Sequence, residues 1–247
     1  MHPPLHDPDE LDALRAFTVP TLANAIETFG VIPANAGACD ATLRCHTPEL
    51  PLLLGYAVTA RVSTDQPPSA VRPAISEPDY WRFLAGRAGP RVAVVQDIDR
   101  PPRGAMWGEW NANVHKALGC VGMVTEGAVR DLAALHRLRF HAFSTQVLPS
   151  HAYGAFIDYG GIVRVAGLTI ASGDLLAGDE HGVILIPPEI PLRELARVAA
   201  EIDRLEAEIF ALCQSPGFSL ERLIALDADV ARRWPSPGGS AARLRPA

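Results

Sequence analysis

Twenty residues separate Glu109 from the pair Arg130-Asp131 within WGEWNANVHKALGCVGMVTEGAVRD. An acid, a guanidinium and a second acid, each beside an expected element end, can build a divalent-metal site next to an anion clamp. Such a set suits chemistry on a small 2-oxo acid. Arg130 has the planar fork to bind a carboxylate bidentately or to steady an enolate oxygen. Asp131 offers a hard oxygen suited to Mg²⁺ or Mn²⁺. Gly108 precedes an expected helix start, so the N–H groups of about the next three residues lack intrahelical acceptors and can receive a carboxylate. Taken singly, each residue has a plainer reading. Glu109 is then a first-turn acid that complements the helix dipole, Asp131 an N-cap, and Arg130 a surface ion-pair partner. The joint spacing favours the chemical reading.

The elements that must position these residues follow from periodicity. LLLGYAVTARVS (52–63) and RVAVVQDID (91–99) read as strands, the second with an acidic end that leads into a Pro-Pro-Arg-Gly loop. The proline-rich stretch between them, 63–79, reads as an irregular loop, and YWRFLAGRA as a helical turn or two. Residues 109–118 fit a helix that stops at Gly119. CVGMVTEG is the next strand, and a Gly127-Ala128 turn leads to Arg130. AVRDLAALHRL begins a helix, with Leu132, Leu135 and Leu138 at helical spacing. This is an α/β alternation. Arg130 and Asp131 then lie just past the carboxyl end of a strand, where ligands collect in such sheets.

On either side the pattern changes. Residues 1–16 read as a loose or helical arm, then Pro20-Thr21 opens a short helix with Thr21 as N-cap and Gly30 as its stop. After Phe140 come short strands, FHAFSTQV, GIVRVAGLTI and GVILIP. From Pro188 Leu192, Leu195, Ala199, Ile202, Leu205, Ile209 and Leu212 recur at steps of three and four, which predicts a long amphipathic helix with a charged, solvated face. A second short helix, SLERLIAL, and a mobile Pro/Gly-rich tail close the chain. The expected architecture is a layered α/β fold with a mixed sheet. Its expected divisions are an arm (1–17), a main domain (18–213) and a C-terminal helix with tail (214–247).

Composition narrows the function. The 247 residues are 48% hydrophobic and 20% charged, and a net charge of -6 argues against a broad nucleic-acid surface. With no apolar run of membrane-span length and no signal-peptide layout, the reading is a cytoplasmic protein that engages neither membrane nor nucleic acid. Cys39, Cys45, Cys120 and Cys213 form no CxxC and read as reduced thiols; Cys39 and Cys45 with His46 are poorly spaced for zinc. His115, His136, His141 and His151 form no zinc-hydrolase pattern, and Walker, GxGxxG and GxSxG motifs are absent. In GDLLAGDEHGVILIP, Asp174, Asp179, Glu180 and His181 read as an acidic turn before a strand, with a supporting or subunit-contact role as the alternative. Lys116, the sole lysine, is expected mid-helix at the surface, which leaves no lysine for a Schiff base.

The segment 107–131, then FSTQVLP, then SGDLLAGDEHGVILIP, resembles the RraA-like proteins, which include the class II 4-hydroxy-4-methyl-2-oxoglutarate/4-carboxy-4-hydroxy-2-oxoadipate aldolases. Their signature is an acid, twenty residues, then Arg-Asp. The resemblance runs from about residue 18 to about 213. It implies an α/β/β sandwich similar to the phosphohistidine swivelling domain, assembled as homotrimers or homohexamers. It also implies Mg²⁺ ligated directly by Asp131, with Glu109 and a neighbouring subunit's C-terminal glutamate acting through water. Glu206 is the first positional choice for that glutamate and Glu208 the second. Arg130 would contact a 2-oxo acid and steady its enolate, while the amides at Trp110 and Asn111 receive the carboxylate. The implied activity is aldol cleavage to pyruvate, with oxaloacetate decarboxylation on the same electron sink. The alternative from the same family is a non-catalytic regulator that binds a ribonuclease. The chain departs from the pattern at Trp110-Asn111, in a long loop at 65–78, and past residue 213.

Overall fold

The structure, a computed structural model, describes residues 6–235. They form two compact units, one of residues 35–188 and one of residues 6–34 with 189–235. Each is described by itself.

The larger unit is built on four parallel strands, β2 (Leu53–Ser63), β3 (Arg91–Asp97), β4 (Cys120–Val129) and β5 (His141–Val147), adjacent in that order. Helices α3 (Glu77–Ala85), α4 (Glu109–Ala117) and α5 (Leu132–Leu138) make the three crossovers. Each crossover steps to the next strand in the same direction. Right-handed connections of that kind put all three helices on one face. Strand residues alternate accordingly. Val58, Val95 and Met123 meet Tyr80, Leu84, Ala112 and Leu135 of the helices. Ala57, Val94, Val124 and Phe143 face the other way.

That second face is covered by a hairpin, β7 (Val163–Val165) with β8 (Leu168–Ile170), which inserts Val163, Val165 and Ile170. The result is the expected α/β/β layering. Antiparallel strands extend the sheet to eight. β9 (Leu175–Asp179) pairs with the first half of β2 and with β10 (Gly182–Ile186); β6 (Ala155–Tyr159) pairs with the second half of β2; the two-residue β1 (Arg44–Cys45) edges β5.

The carboxyl ends of the parallel strands share one edge, and their loops are stitched there by main-chain bonds. Ala105 N donates to Ser150 O at 2.7 Å, Tyr153 N to Thr64 O at 3.1 Å, and Leu148 N to Val129 O at 3.1 Å.

The smaller unit packs α1 (Pro8–Leu14) and α2 (Val19–Phe29) on the long helix α6 (Leu192–Cys213), which is followed by α7 (Leu220–Arg233). The buried stripe of α6 is the expected one, with Val198 added and Ile209 only half-buried. Thr21 Oγ1 bonds Asp203 at 3.1 Å and Arg193 bonds Glu10 at 2.9 Å. Among the described residues no helix is long and apolar enough to cross a membrane.

Several sequence expectations are corrected. Thr18, not Thr21, caps α2, and its side chain accepts from Thr21 N. β4 does not turn at Gly127-Ala128 but runs to Val129, because Val147 on one side and Trp107 on the other pair with its end. GIVRVAGLTI is broken into a hairpin at Ala166-Gly167, whose φ values of 44° and 81° suit a tight hairpin turn. LLAGD, read as an acidic turn, is the buried strand β9; only Glu180-His181 turn. AFIDY forms β6 with no strong alternation to betray it. The second C-terminal helix runs seven residues past SLERLIAL, since Arg233 reaches back to Glu208 and Asp229. Residues 236–247 of the expected tail lie outside the described residues.

Phe143 is fully buried on the hairpin face. Phe143→Ala is expected to lower unfolding free energy by about 3–5 kcal/mol through lost transfer and a cavity, read from denaturant midpoints. A loss under 1 kcal/mol would mean that this face is not a packed layer.

Candidate functional site

The loop 98–108 leaves the carboxyl end of β3 and delivers the N-terminus of α4 to the end of β4. Arg130 N donates to Trp107 O at 2.8 Å, and Trp107 forms a parallel bridge with Val129. The indole is buried and fixes this crossing. Glu109, Arg130 and Asp131 thereby meet, though not in the way their side chains alone suggest.

Asp131 precedes α5 with φ 57° and ψ 40°, a left-handed conformation that Asp tolerates at some cost. Its side chain does not cap α5. Instead Oδ2 accepts from Glu109 N at 2.9 Å, so Asp131 caps α4 across the site. Asp131 thus stands at the N-cap position of α5, as the plain reading has it, but its side chain makes no capping bond there. Gly108 permits the approach, because a Cβ there would stand 2.5 Å from Asp131 Oδ2 and 2.9 Å from Arg130 Cγ.

The Arg130 guanidinium lies beside this carboxylate, with Nε 3.8 Å from Asp131 Oδ2. That Nε is buried and has no hydrogen-bond partner. A buried charged donor without an acceptor is costly, and an anionic ligand oxygen would satisfy it. The amides of Trp110 and Asn111 sit in the first turn of α4, where no intrahelical acceptor exists. The Trp110 side chain is 71% exposed at this helix start. The Asn111 side chain turns inward, and its Nδ2 holds Met106 O at 2.7 Å.

The Glu109 carboxylate is in an ion pair with Arg137 at 3.2 Å. Both side chains are more than half exposed, so the pair is worth about 0–1 kcal/mol. The sequence reading did not include Arg137. Arg130 lies outside α5, so no helical spacing pointed from it to Arg137.

The donor set fits a hard divalent ion. Asp131 keeps Oδ1 free of hydrogen bonds among the described residues and is partly open to solvent. One or two carboxylates with several retained waters is how Mg²⁺ is commonly held. On α6, Glu208 is committed to Arg204 at 2.9 Å and Arg233 at 2.5 Å. Glu206 has no cationic partner among the described residues, and burial raises its pKa, with Asp203 adding to the effect. Of the two C-terminal glutamates, Glu206 is the one left available.

The turn at Asp179, Glu180 and His181 brings three potential ligand atoms within 4.8 Å of one another. Hairpin geometry accounts for it, because Asp179 Oδ1 accepts from His181 N at 2.8 Å and lies 3.1 Å from its ring Nδ1. Lys116 is exposed and reaches Leu138 O. The four cysteines are free, and burial pushes the Cys39 and Cys120 thiols up to about 12, away from reactive thiolates.

Two buried titratable groups lie behind the site. Burial lifts Asp97 to about 6 from 3.8, aided by the nearby charges of Asp99 and Glu126. Burial depresses His115 to about 4 from 6.5; its Nδ1 faces Asn111 O at 2.7 Å.

A family model described as RraA-like, Aldolase/RraA, matches residues 19–185. The chain belongs to the RraA-like family. A Halorhodospira halophila protein with the provisional name 4-hydroxy-4-methyl-2-oxoglutarate aldolase is 31% identical over 170 residues, which cover 68% of this chain and 99% of that protein. A Marinomonas relative of the same name is 33% identical over 106 residues, which cover 42% of this chain and 65%, just under two thirds, of the relative. A Streptomyces coelicolor structure, RraAS2, described as an unusual member of the RNase ES inhibitor RraA family, shares the fold. Its TM-score is 0.61 at 19% identity, over 84% of this chain and 98% of that one.

Two predictions follow from this geometry. Gly108→Ala and Asp131→Ala should each lower unfolding free energy by about 0.5–2 kcal/mol through loss of the same cap, and the double variant should lose far less than their sum. Full additivity in a denaturant double-mutant cycle would show that the cap is not shared. Asp97 and His115 should act oppositely on stability. Asp97, raised, contributes stability that is lost as pH climbs from about 4 through about 6. His115, depressed, contributes stability that is lost as pH drops from about 6.5 through about 4. Asp97→Asn should therefore make acid destabilisation steeper between pH 6.5 and 4, and an unchanged pH profile of denaturant midpoints would contradict the Asp97 assignment.

Proposed function

We propose that the chain is a divalent-metal-dependent class II aldolase, a lyase that cleaves a 4-hydroxy-2-oxo acid to pyruvate and decarboxylates oxaloacetate as a side activity. It works in this reading as a homotrimer or homohexamer. The observation that carries the reading is the Asp131 carboxylate, turned off its own helix and onto the start of α4, beside the unpartnered Nε of Arg130. The 4-hydroxy-4-methyl-2-oxoglutarate aldolase relatives support the same class.

The residues divide the work. The first-turn amides of Trp110 and Asn111 receive the C1 carboxylate of the 2-oxo acid, and Gly108 leaves room for it. When bound, Mg²⁺ or Mn²⁺ supplies a Lewis acid to the 2-oxo carbonyl, held directly by Asp131 and through water by Glu109 and by Glu206 of a neighbouring copy. Glu109 leaves its weak pair with Arg137 and, through a water, takes the proton of the C4 hydroxyl. The C3–C4 bond breaks, a carbonyl forms at C4, and the electron pair moves to the C2 oxygen. Arg130 Nε donates to that oxygen as its charge develops. The proton returns to C3 and pyruvate is released. Oxaloacetate loses CO₂ from C4 to leave the same enolate on the same donors.

A panel of 4-hydroxy-2-oxo acids and oxaloacetate, coupled to lactate dehydrogenase, tests this. Mg²⁺-dependent pyruvate release, abolished by EDTA and restored by added metal, is expected. Arg130→Ala and Asp131→Ala should each cost roughly 10²–10³-fold in kcat. Full activity in Asp131→Ala would remove the metal-ligand assignment. No turnover across the panel, with ribonuclease captured instead, would replace the aldolase reading by a binding role.

A further inference from the structure

The loop that carries Gly108 and α4 to the site is tied at its root to a buried carboxylate. Asp97 ends β3 and is 1% exposed. Its Oδ2 accepts from Thr64 Oγ1 at 3.0 Å, and its Oδ1 accepts from Asp99 N at 3.0 Å. Thr64 Oγ1 in turn accepts from Arg103 N at 3.0 Å. The Thr64 hydroxyl thus gives its only proton to Asp97 and receives the loop amide on its oxygen. Three residues beyond Arg103, Met106 O holds Asn111 of the first turn of α4, and Trp107 O holds Arg130 N. From the carboxylate to the site the chain of bonds has no gap longer than three residues.

We propose that Asp97, acting through Thr64, is a positioning residue that fixes the 98–108 loop and so sets the α4 amides and Gly108 against Asp131. This rests on the aldolase reading for its consequence in catalysis, but the anchor itself does not.

The bond directions suit an ionised Asp97, which accepts at both oxygens. A proton on Oδ2 would remove part of the acceptor strength that holds the Thr64 hydroxyl. A proton on Oδ1 would oppose the Asp99 amide. Every other charged group around the carboxylate is already engaged. Asp99 takes Ser63 Oγ at 2.8 Å and the amides of Thr64 and Asp65 at 2.6 and 2.9 Å, and pairs with Arg72 at 3.4 Å. Glu126, from β4, pairs with Arg100, and Arg103 pairs with Asp65 at 3.5 Å. Asp97 therefore depends on hydrogen bonds alone, between two other carboxylates. Burial and those two neighbours raise it to about 6.

Thr64→Val keeps the shape and removes both bonds; Thr64→Ser keeps the hydroxyl; Asp97→Asn removes the titration and leaves one of the two donors facing an amide N–H. In amide exchange by mass spectrometry at pH 7.5, Thr64→Val and Asp97→Asn should lose protection across 100–109, and Thr64→Ser should recover most of it. In the pyruvate assay, kcat/KM should fall about 10- to 100-fold in Thr64→Val, on the scale of a small misplacement of catalytic groups. Native protection across 100–109 in Thr64→Val would overturn the anchor whatever the activity. An anchored loop in a protein without turnover on the whole panel would sink the aldolase reading and leave the anchor standing.

Discussion

One hydrogen bond organises this site: the Asp131 carboxylate on the first amide of α4. It joins the end of one strand to the start of a helix that the preceding strand delivers. Three conditions allow it. Asp131 adopts a left-handed backbone, so its side chain leaves the axis of its own helix. Gly108 has no Cβ where Oδ2 must stand. Trp107 is buried and bonded to Arg130, which fixes the distance between the two elements. A carboxylate held at a helix N-terminus, beside a guanidinium with an unspent donor, concentrates opposite charges within a few ångströms. The site gains an oxygen for a cation and donors for an anion at one place.

The fold makes that meeting possible through handedness. Successive right-handed crossovers along β2, β3, β4 and β5 leave every strand end on one edge and every helix on one face. Loops from four strands then lie side by side and bond to one another. The opposite face takes the β7–β8 hairpin. Stability and chemistry are thus divided: apolar layers above and below the sheet, polar groups along its edge.

The edge holds more acid than a metal site of the proposed type uses. Asp97, Asp99 and Glu126 sit at the ends of β3 and β4, and each is balanced differently. Asp99 is saturated with donors, Glu126 has an arginine, and Asp97 relies on Thr64 and one amide. Burying a carboxylate between two others is unfavourable, and hydrogen bonds to its oxygens offset part of that cost. Here they hold the loop that brings α4 forward.

The sequence determined the element types along the βαβ stretch, the strands at 53–63 and 91–97, the stop at Gly30 and the stripe of α6, because these depend on local periodicity and turn chemistry. The spacing of Glu109, Arg130 and Asp131 pointed to one site, and the three residues do meet. Tertiary structure alone decided how. That Glu109 contributes its amide to Asp131 while its carboxylate turns to Arg137 depends on the backbone angle at Asp131, which no spacing encodes. β9 was hidden because a strand buried along its whole length shows no alternation, and β4 passed its glycine because partners on both sides paired with its end. The anchor of Asp97, Thr64 and Arg103 joins residues 33 and 39 positions apart, and proximity of that kind arises only when the parallel strands are laid side by side.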